Sequence, residues 1–276
     1  MAYSYPKDNR EFIKMLKASG DMVTVEQEVD WDLEMGAIVR RVCEKQLPSP
    51  YFKKITDYPG FEAFGAPMST YRRLAIAMGM DANSTIPEIA DEYVKRTKED
   101  PIDPVEIDAK DAPCKENILL GKDADLFNLP GPMVHDGDGG RYLATWHFVV
   151  SKDPETLDIN WGMYRMMVFD EKTMVGPVLP FSDMGKMFYG KYVPKNQPMP
   201  FAAVLSADPL SSLASCAPAS IPEDQFAGTL MGEPVELVKC ETCDLLVPST
   251  AEIIIEGEVI PNIMIEEAPF GEYTGY

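Results

Sequence analysis

Basic charge is what this sequence has least of for its size: 25 lysines and arginines face 45 aspartates and glutamates, for a formal net charge of −20. Nonspecific binding to nucleic acid or to an anionic membrane needs a basic face, so this balance argues against both. Small molecules and other protein surfaces remain as partners. Histidine is nearly absent, with His135 and His147 the only two copies, which leaves no histidine-rich metal centre. Five cysteines are too few, and odd in number, for a secreted disulfide scaffold. Cys240-x-x-Cys243 is a single pair without a second pair or a nearby histidine, which argues against zinc. No apolar run approaches the roughly 18 residues that cross a bilayer. No cationic and apolar leader opens the sequence, so the expected location is the cytoplasm. Internal repeats and low-complexity tracts are absent, and no G-x-G-x-x-G follows a strand pattern, which disfavours a dinucleotide-type oxidoreductase.

What is present is the composition of a folded chain, 45% hydrophobic over 276 residues, enough for two modest cores. Phe12, Ile13 and Leu16 recur at helical spacing over residues 9–19, and residues 22–29 then alternate as a strand. Asp32 is expected to cap a helix reaching about Lys45. Further helices are expected at 68–79 and 86–98, with Ile86, Ile89, Ala90 and Val94 on one face. Pro101, Pro104 and Pro113 interrupt an acidic stretch in the manner of a linker, placing a boundary near 115 between an N-terminal α+β domain (1–115) and a second domain (116–276). Beyond it the pattern is mainly strand, at 142–151, 160–170, 173–179, 201–207, 235–240 and 251–260, with helical turns near 182–191 and 222–231. Many strands joined by glycine-rich turns suggest a barrel or sandwich.

Two segments carry chemistry. Glu267-Ala268-Pro269-Phe270-Gly271-Glu272-Tyr273-Thr274-Gly275-Tyr276 sets two carboxylates around a shaped turn, since proline restricts its own φ and glycine admits a positive one. Upstream, Asn160-Trp161-Gly162-Met163-Tyr164-Arg165 places an amide and a guanidinium in an apolar stretch, and Arg165 is a fork-shaped partner for carboxylates. The plainer alternatives are a solvated acidic turn and an ordinary ion pair on a strand. Asn160 and Arg165 differ by five positions, so a regular strand sends them to opposite faces; a bulge at Gly162 would reconcile them. His135 and the run Asp136-Gly137-Asp138-Gly139-Gly140 read as a flexible turn. The 17 methionines, Met166 and Met167 among them, read as core filler.

Together with Phe226-Ala227-Gly228-Thr229-Leu230-Met231-Gly232, Glu236-Leu237-Val238-Lys239-Cys240 and Ala251-Glu252-Ile253-Ile254-Ile255-Glu256-Gly257, these segments resemble the UbiD-like family of reversible decarboxylases, which use prenylated FMN. The resemblance covers most of residues 116–276. It implies a flavin-binding split β-barrel and decarboxylation or carboxylation of an aromatic or α,β-unsaturated carboxylic acid. Losing carbon dioxide from such an acid leaves electrons on carbon, and no side chain is an adequate sink, so an organic cofactor is required. By resemblance, Arg165 anchors the substrate carboxylate, Glu267 is its charge partner and Glu272 the proton donor. The carboxylate touching Arg165 is expected to stay ionised while its neighbour, lacking that contact, tends to the neutral acid. Thr145, Gly162 and Met163 fall where the family contacts its flavin. The family holds a divalent cation, with a potassium ion nearby, against the flavin phosphate; its ligand positions fall on Asn160, Asp183 and Glu223. Asp183 stands where the family has a histidine, and oxygen donors suit magnesium or manganese. Asp183 after Ser182, and Glu223 after Pro222, are also ordinary acids for helix starts.

In the resembling enzymes the chain continues past the Thr-Gly-Tyr of the glutamate loop. The expectation is therefore an incomplete or split version, working as a homo-oligomer or with a partner chain supplying the remainder, and on its own binding flavin weakly and showing no decarboxylase activity. The alternatives from other classes are a noncatalytic barrel subunit of a multi-component carboxylase and a flavin-binding oxidoreductase.

Overall fold

The computed structural model describes residues 4–144 and 146–272. The first helix, α1 (Asn9–Ala18), starts where the Asp8 carboxylate accepts from the Glu11 amide, and it buries Phe12 and Leu16. Burying two side chains of this size contributes on the order of 4 kcal/mol. Strand β1 (Met22–Val29), helix α2 (Glu34–Lys45) and strand β2 (Ser49–Ile55) form a parallel crossover unit, with Met22 opposite Ser49 and Val25 opposite Phe52. The short strand β3 (Ala63–Phe64) adds to β2 antiparallel. Strand β2 was not foreseen, because its Ser-Pro start and two lysines obscure the alternation. Asp32 is not the cap of α2: Leu33 occupies that place with φ 67°, and the Glu34 carboxylate instead accepts from the Asp30 amide.

Helices α3 (Tyr71–Ala77) and α4 (Ile86–Arg96) follow, the latter opened by a reciprocal Thr85–Glu88 capping box. The four apolar residues expected on one buried face of α4 do not share it. Ile89 is buried whereas Ile86 and Val94 are exposed, because the inward face is completed by the buried Arg96, which donates to the carbonyls of Met78 and Leu230. After α4, β4 (Val105–Glu106) pairs in parallel with a strand from the far end of the chain.

The remaining strands are β5 (Tyr142–Ala144), β6 (His147–Lys152), β7 (Ile159–Gly162), β8 (Met166–Val168) and β9 (Met174–Val175). Next come α5 (Asp183–Met187), β10 (Met199–Leu205), α6 (Pro209–Ala214) and α7 (Glu223–Met231). The last are β11 (Glu236–Lys239), β12 (Leu246–Pro248) and β13 (Ile253–Val259). The segments 142–151 and 160–170, each expected as one strand, are both split in two. Among the described residues the strands form four sheets and no closed barrel: β1-β2-β3, β13-β10-β6-β7, β12-β11-β4 and β5-β8-β9. The architecture is mixed α+β.

The four-stranded sheet is the centre of the second half and is buried on both faces. Phe148, Val150, Ala202 and Val204 enter a core with α6 and α7, and Phe148 stacks on Trp161 at 4.6 Å. Their neighbours Val149, Phe201, Ala203 and Leu205 pack with Met184, Phe188 and Tyr192 on the other face. Two-sided burial explains why β6 and β10 read as continuous apolar runs without alternation. The crossing from this sheet to β5-β8-β9 occurs at residues 163–165, where Arg165 lies.

Candidate functional site

Asn160 and Arg165 are reconciled without a bulge. β7 pairs regularly with β6 through Gly162, opposite Val149, and then the strand ends. Met163, Tyr164 and Arg165 form a free connection to β8, so strand parity does not constrain Arg165. The connection is pinned from several sides. The His147 Nε2–H donates to the Tyr164 carbonyl at 2.8 Å, and the Tyr164 hydroxyl lies 3.4 Å from Asn160 Nδ2 and 3.3 Å from the Met184 amide. Glycine is required opposite it, since a Cβ on Gly176 would meet the Arg165 carbonyl oxygen at 2.3 Å. His147 is 2% exposed, its Nδ1 has no hydrogen-bond partner, and burial lowers its pKa to about 4, so it stays neutral.

Arg165 meets both glutamates. Its Nε and Nη2 form a fork on Glu267 at 2.7 and 3.0 Å, and its Nη1 reaches Glu272 at 2.5 Å. The expected contrast between a contacted and an uncontacted carboxylate therefore does not hold. The real asymmetry is one of geometry and exposure: the Glu267 side chain is 15% exposed and held by two bonds, while that of Glu272 is 45% exposed and held by one. The hydrogen bonds donated to Glu267 raise the guanidinium pKa above its ordinary value, partly opposed by burial, with Glu272 adding to the rise. The Tyr142 hydroxyl donates to Glu267 Oε1 at 3.1 Å, and burial together with the Glu267 charge raises its pKa, keeping it a donor.

The segment expected to be a flexible turn is instead the cradle of the glutamate loop. The buried Asp138 accepts the Gly271 amide at 2.7 Å, and the Gly139 amide donates to the Pro269 carbonyl at 2.8 Å. Asp138 is itself aligned by the His135 amide at 2.9 Å. Gly139 has no room for a side chain, because a Cβ would stand 2.1 Å from that of Ala268. Phe270 fills the space between the Tyr142 ring, at 4.2 Å, and the Arg165 guanidinium, at 5.6 Å. Asp138, Gly139, Tyr142 and His147 were all missed. The one legible signal was the density of small residues in Gly137-Asp138-Gly139-Gly140, which marks close backbone approach as readily as mobility.

Two cavities flank Arg165. One, of about 460 Å³, is lined by His147, Met163, Phe270 and Glu272 among others; the other, of about 410 Å³, includes Met184, Phe188, Ile263 and Glu267. Both fall in the range of small-molecule sites. A further cavity of about 550 Å³, at Tyr5, Asp208 and Ser249, lies away from this chemistry.

Of the residues expected near a cofactor phosphate, Asn160 is buried on β7, with its amide nitrogen 3.3 Å from Ser151 Oγ. Glu223 begins α7 and accepts the Trp161 amide at 3.0 Å; burial raises its pKa, and Asp224 and Asp183 add to the rise. Asp183 begins α5 under a Ser182 cap, is largely exposed and pairs with Lys186 at 2.7 Å. Helices α5 and α7 both contact β7, so the three residues come from adjoining elements. Gly162 ends β7 and Met163 lines the larger of the two cavities beside Arg165. Thr145 lies outside the described residues, as do the last four residues of the glutamate segment.

Residues 105–276 match the family model of the 3-octaprenyl-4-hydroxybenzoate carboxy-lyase Rift-related domain, and residues 13–93 match that of the corresponding N-terminal domain. The chain belongs to the UbiD family. It is 36% identical over 279 residues to a pyrrole-2-carboxylic acid decarboxylase of Pseudomonas aeruginosa, covering 98% of this chain and 56% of that protein. The vanillic acid decarboxylase of Sedimentibacter hydroxybenzoicus, in its closed form, superposes with a TM-score of 0.94 at 31% identity, over 100% of this chain and 59% of that one. A UbiD-class enzyme of Pelotomaculum thermopropionicum in complex with prenylated FMN gives 0.87 at 29% identity, over 98% and 61%. The chain thus spans little more than half the length of these relatives. Among the described residues no helix is long and apolar enough to cross a membrane.

Proposed function

We propose that this chain carries the carboxylate-binding and proton-transfer side chains of a reversible, non-oxidative decarboxylase of aromatic or α,β-unsaturated acids. The observation that carries the reading is the Arg165–Glu267–Glu272 constellation at the wall of two cavities. Glu267 and Tyr142 hold the guanidinium in one orientation, because the fork fixes its plane and the tyrosine occupies a remaining carboxylate lone pair. The single bond from Nη1 to the more exposed Glu272 is the one that a substrate carboxylate can take over. Glu272, so released, stands at the cavity as the group that delivers a proton to carbon after carbon dioxide leaves, and removes it in the reverse direction. Phe270, with its ring 5.6 Å from the guanidinium, covers one side of Arg165, and apolar cover of this kind strengthens charge interactions beside it.

The residues fit the flavin that the relatives imply. A cavity beside Arg165 with Met163 on its wall suits a ring system, and prenylated FMN would supply the electron sink the reaction requires. For the cation, the buried Asn160 and Glu223 offer oxygen donors on adjoining elements, and Asp183 can join them by exchanging Lys186 for a magnesium or manganese ion. Burial that raises the Glu223 pKa is relieved by such a cation. Thr145 remains part of the proposed flavin contact, and potassium a proposed companion ion. We place the protein in the cytoplasm, where its five free cysteines persist, and as a homo-oligomer or with a partner chain.

The test is direct. The purified protein is reconstituted anaerobically with prenylated FMN, its absorption spectrum and retained cofactor mass are recorded, and carbon dioxide release is followed against a panel of aromatic and acrylic acids. Flavin-dependent release from at least one acid, by the chain alone or together with a partner chain, is the expected result. Retained flavin without release or carbon dioxide exchange would favour a noncatalytic barrel subunit.

A further inference from the structure

Outside this site, one cluster of side chains has an arrangement that the sequence did not suggest. Cys240 and Cys243 bracket the turn between β11 and β12, and β13 brings Glu256 against them. The two Sγ atoms and a Glu256 carboxylate oxygen all lie within 4.8 Å of one another, with Cys240 buried and the other two half-buried. The missing second cysteine pair, which argued against a metal, is replaced by a carboxylate from β13, the strand that follows β12. We propose that Cys240, Cys243 and Glu256 form a divalent-metal site of the zinc class, with water as the fourth ligand.

The geometry is close to what such an ion needs. Zinc–sulfur and zinc–oxygen bonds of about 2.3 and 2.0 Å set ligand separations of roughly 3.5–3.8 Å in a tetrahedron. Closing from 4.8 Å or less therefore takes side-chain adjustments of about 1 Å, without movement of the strands. The ligands are also held in advance. Glu256 Oε1 accepts the Glu241 amide at 2.8 Å, and Oε2 accepts the Thr242 amide and hydroxyl, each at 2.6 Å. Those donors belong to the two residues between the cysteines, so the carboxylate and the Cys-x-x-Cys turn are locked together, as oriented ligating carboxylates commonly are. The Cys240 amide closes the turn on the Leu245 carbonyl at 2.9 Å. Positive charge to offset three anionic ligands is near: Lys115, 8% exposed, pairs with Glu241 at 2.9 Å. Two thiolates and one carboxylate favour zinc over the hard cations suited to an all-oxygen site. The cluster is independent of the decarboxylase reading, since it shares no residue with the Arg165 constellation.

The test uses the full chain, reduced with a phosphine, stripped of metal and titrated with cobalt(II), then with zinc. The expected result is one cobalt per chain with a thiolate-to-cobalt charge-transfer band, displaced by zinc. The band should vanish in Cys243→Ser and in Cys240→Ser, and cobalt affinity should fall at least tenfold in Glu256→Gln, with far-ultraviolet circular dichroism checking the fold of each. Cobalt bound only through oxygen ligands elsewhere gives no such band, so the two sites are told apart. Absence of the band in the wild-type chain, its persistence in the Cys240→Ser/Cys243→Ser double variant, or unchanged affinity in a folded Glu256→Gln would each overturn the proposal.

Discussion

Replacing Gly139 by alanine tests whether the glutamate loop is shaped by the cradle beneath it. The added Cβ would stand 2.1 Å from the Ala268 Cβ and 3.2 Å from Pro269 Cδ. Carbon atoms in contact settle near 3.5 Å, so the loop must retreat by about 1.4 Å. Such overpacking costs about 1–3 kcal/mol, all of it at the contact between residues 139–140 and 268–271. Because 1.4 kcal/mol is a tenfold change in an equilibrium constant, the loop should open about five- to 150-fold more often. Two amides report that opening directly: Gly271, bonded to Asp138, and Gly139, bonded to Pro269. Native-state hydrogen exchange should show their protection falling by that factor while amides of β10 and β13 are unaffected. Where the reconstituted protein turns over, the displaced Glu267 and Glu272 should lower the rate by about a hundredfold, the usual effect of a 1 Å misplacement. Gly190→Ala is the control, since a Cβ there meets nothing within 4 Å. Unchanged exchange at Gly271 in Gly139→Ala would refute the cradle.

Other perturbations address separate parts of the molecule. Glu272→Gln should abolish turnover, by about a hundredfold or more, while retaining flavin, because it removes a proton donor and keeps the shape; a wild-type rate in cofactor-loaded protein would end its assignment. Glu223→Gln should weaken manganese-dependent retention of FMN by more than about tenfold, measured by flavin fluorescence with and without the metal, and equal retention would remove Glu223 from the ligand set. Burial raises the Asp208 pKa to about 6 from an ordinary 3.8, so the folded chain holds a proton that the unfolded chain has already released. Its contribution is therefore full below about pH 3.8 and is lost as pH rises through about 6, a change of about 3 kcal/mol. Asp208→Asn can still accept the Leu210 and Ser211 amides, and the wild type should lose stability relative to it over that window in urea unfolding. His147, with its pKa lowered to about 4 from 6.5, acts in the opposite sense: its contribution is full above about pH 6.5 and is lost as pH falls through about 4. The comparison with Asp208→Asn is needed because the two partly cancel.

The local pattern of the chain was enough to place most regular elements. Strand β1 and helix α1 follow from alternation, helical spacing and the glycine at position 20, which are properties of neighbouring residues. The Arg165 constellation was legible for the same reason: Arg165, Glu267 and Glu272 are polar residues in surroundings that have no packing use for them, and the structure joins all three. What lay beyond local pattern was anything decided by which segments meet. β2 carries no clear alternation, because its burial is set by α2 and β1 rather than by its own period. The inward face of α4 was misread, because only the packed structure supplies the carbonyls of Met78 and Leu230 that let Arg96 be buried. Asp138-Gly139-Gly140 reads as a loose turn until Pro269 and Gly271 arrive from 130 residues away and take up the Gly139 amide and the Asp138 carboxylate. Glu256 looks like a strand residue until β13 sets it against Cys240 and Cys243. Residue type and spacing determined which groups could react. Only tertiary contact, by removing water and supplying partners, decided which of them were held together and in what orientation.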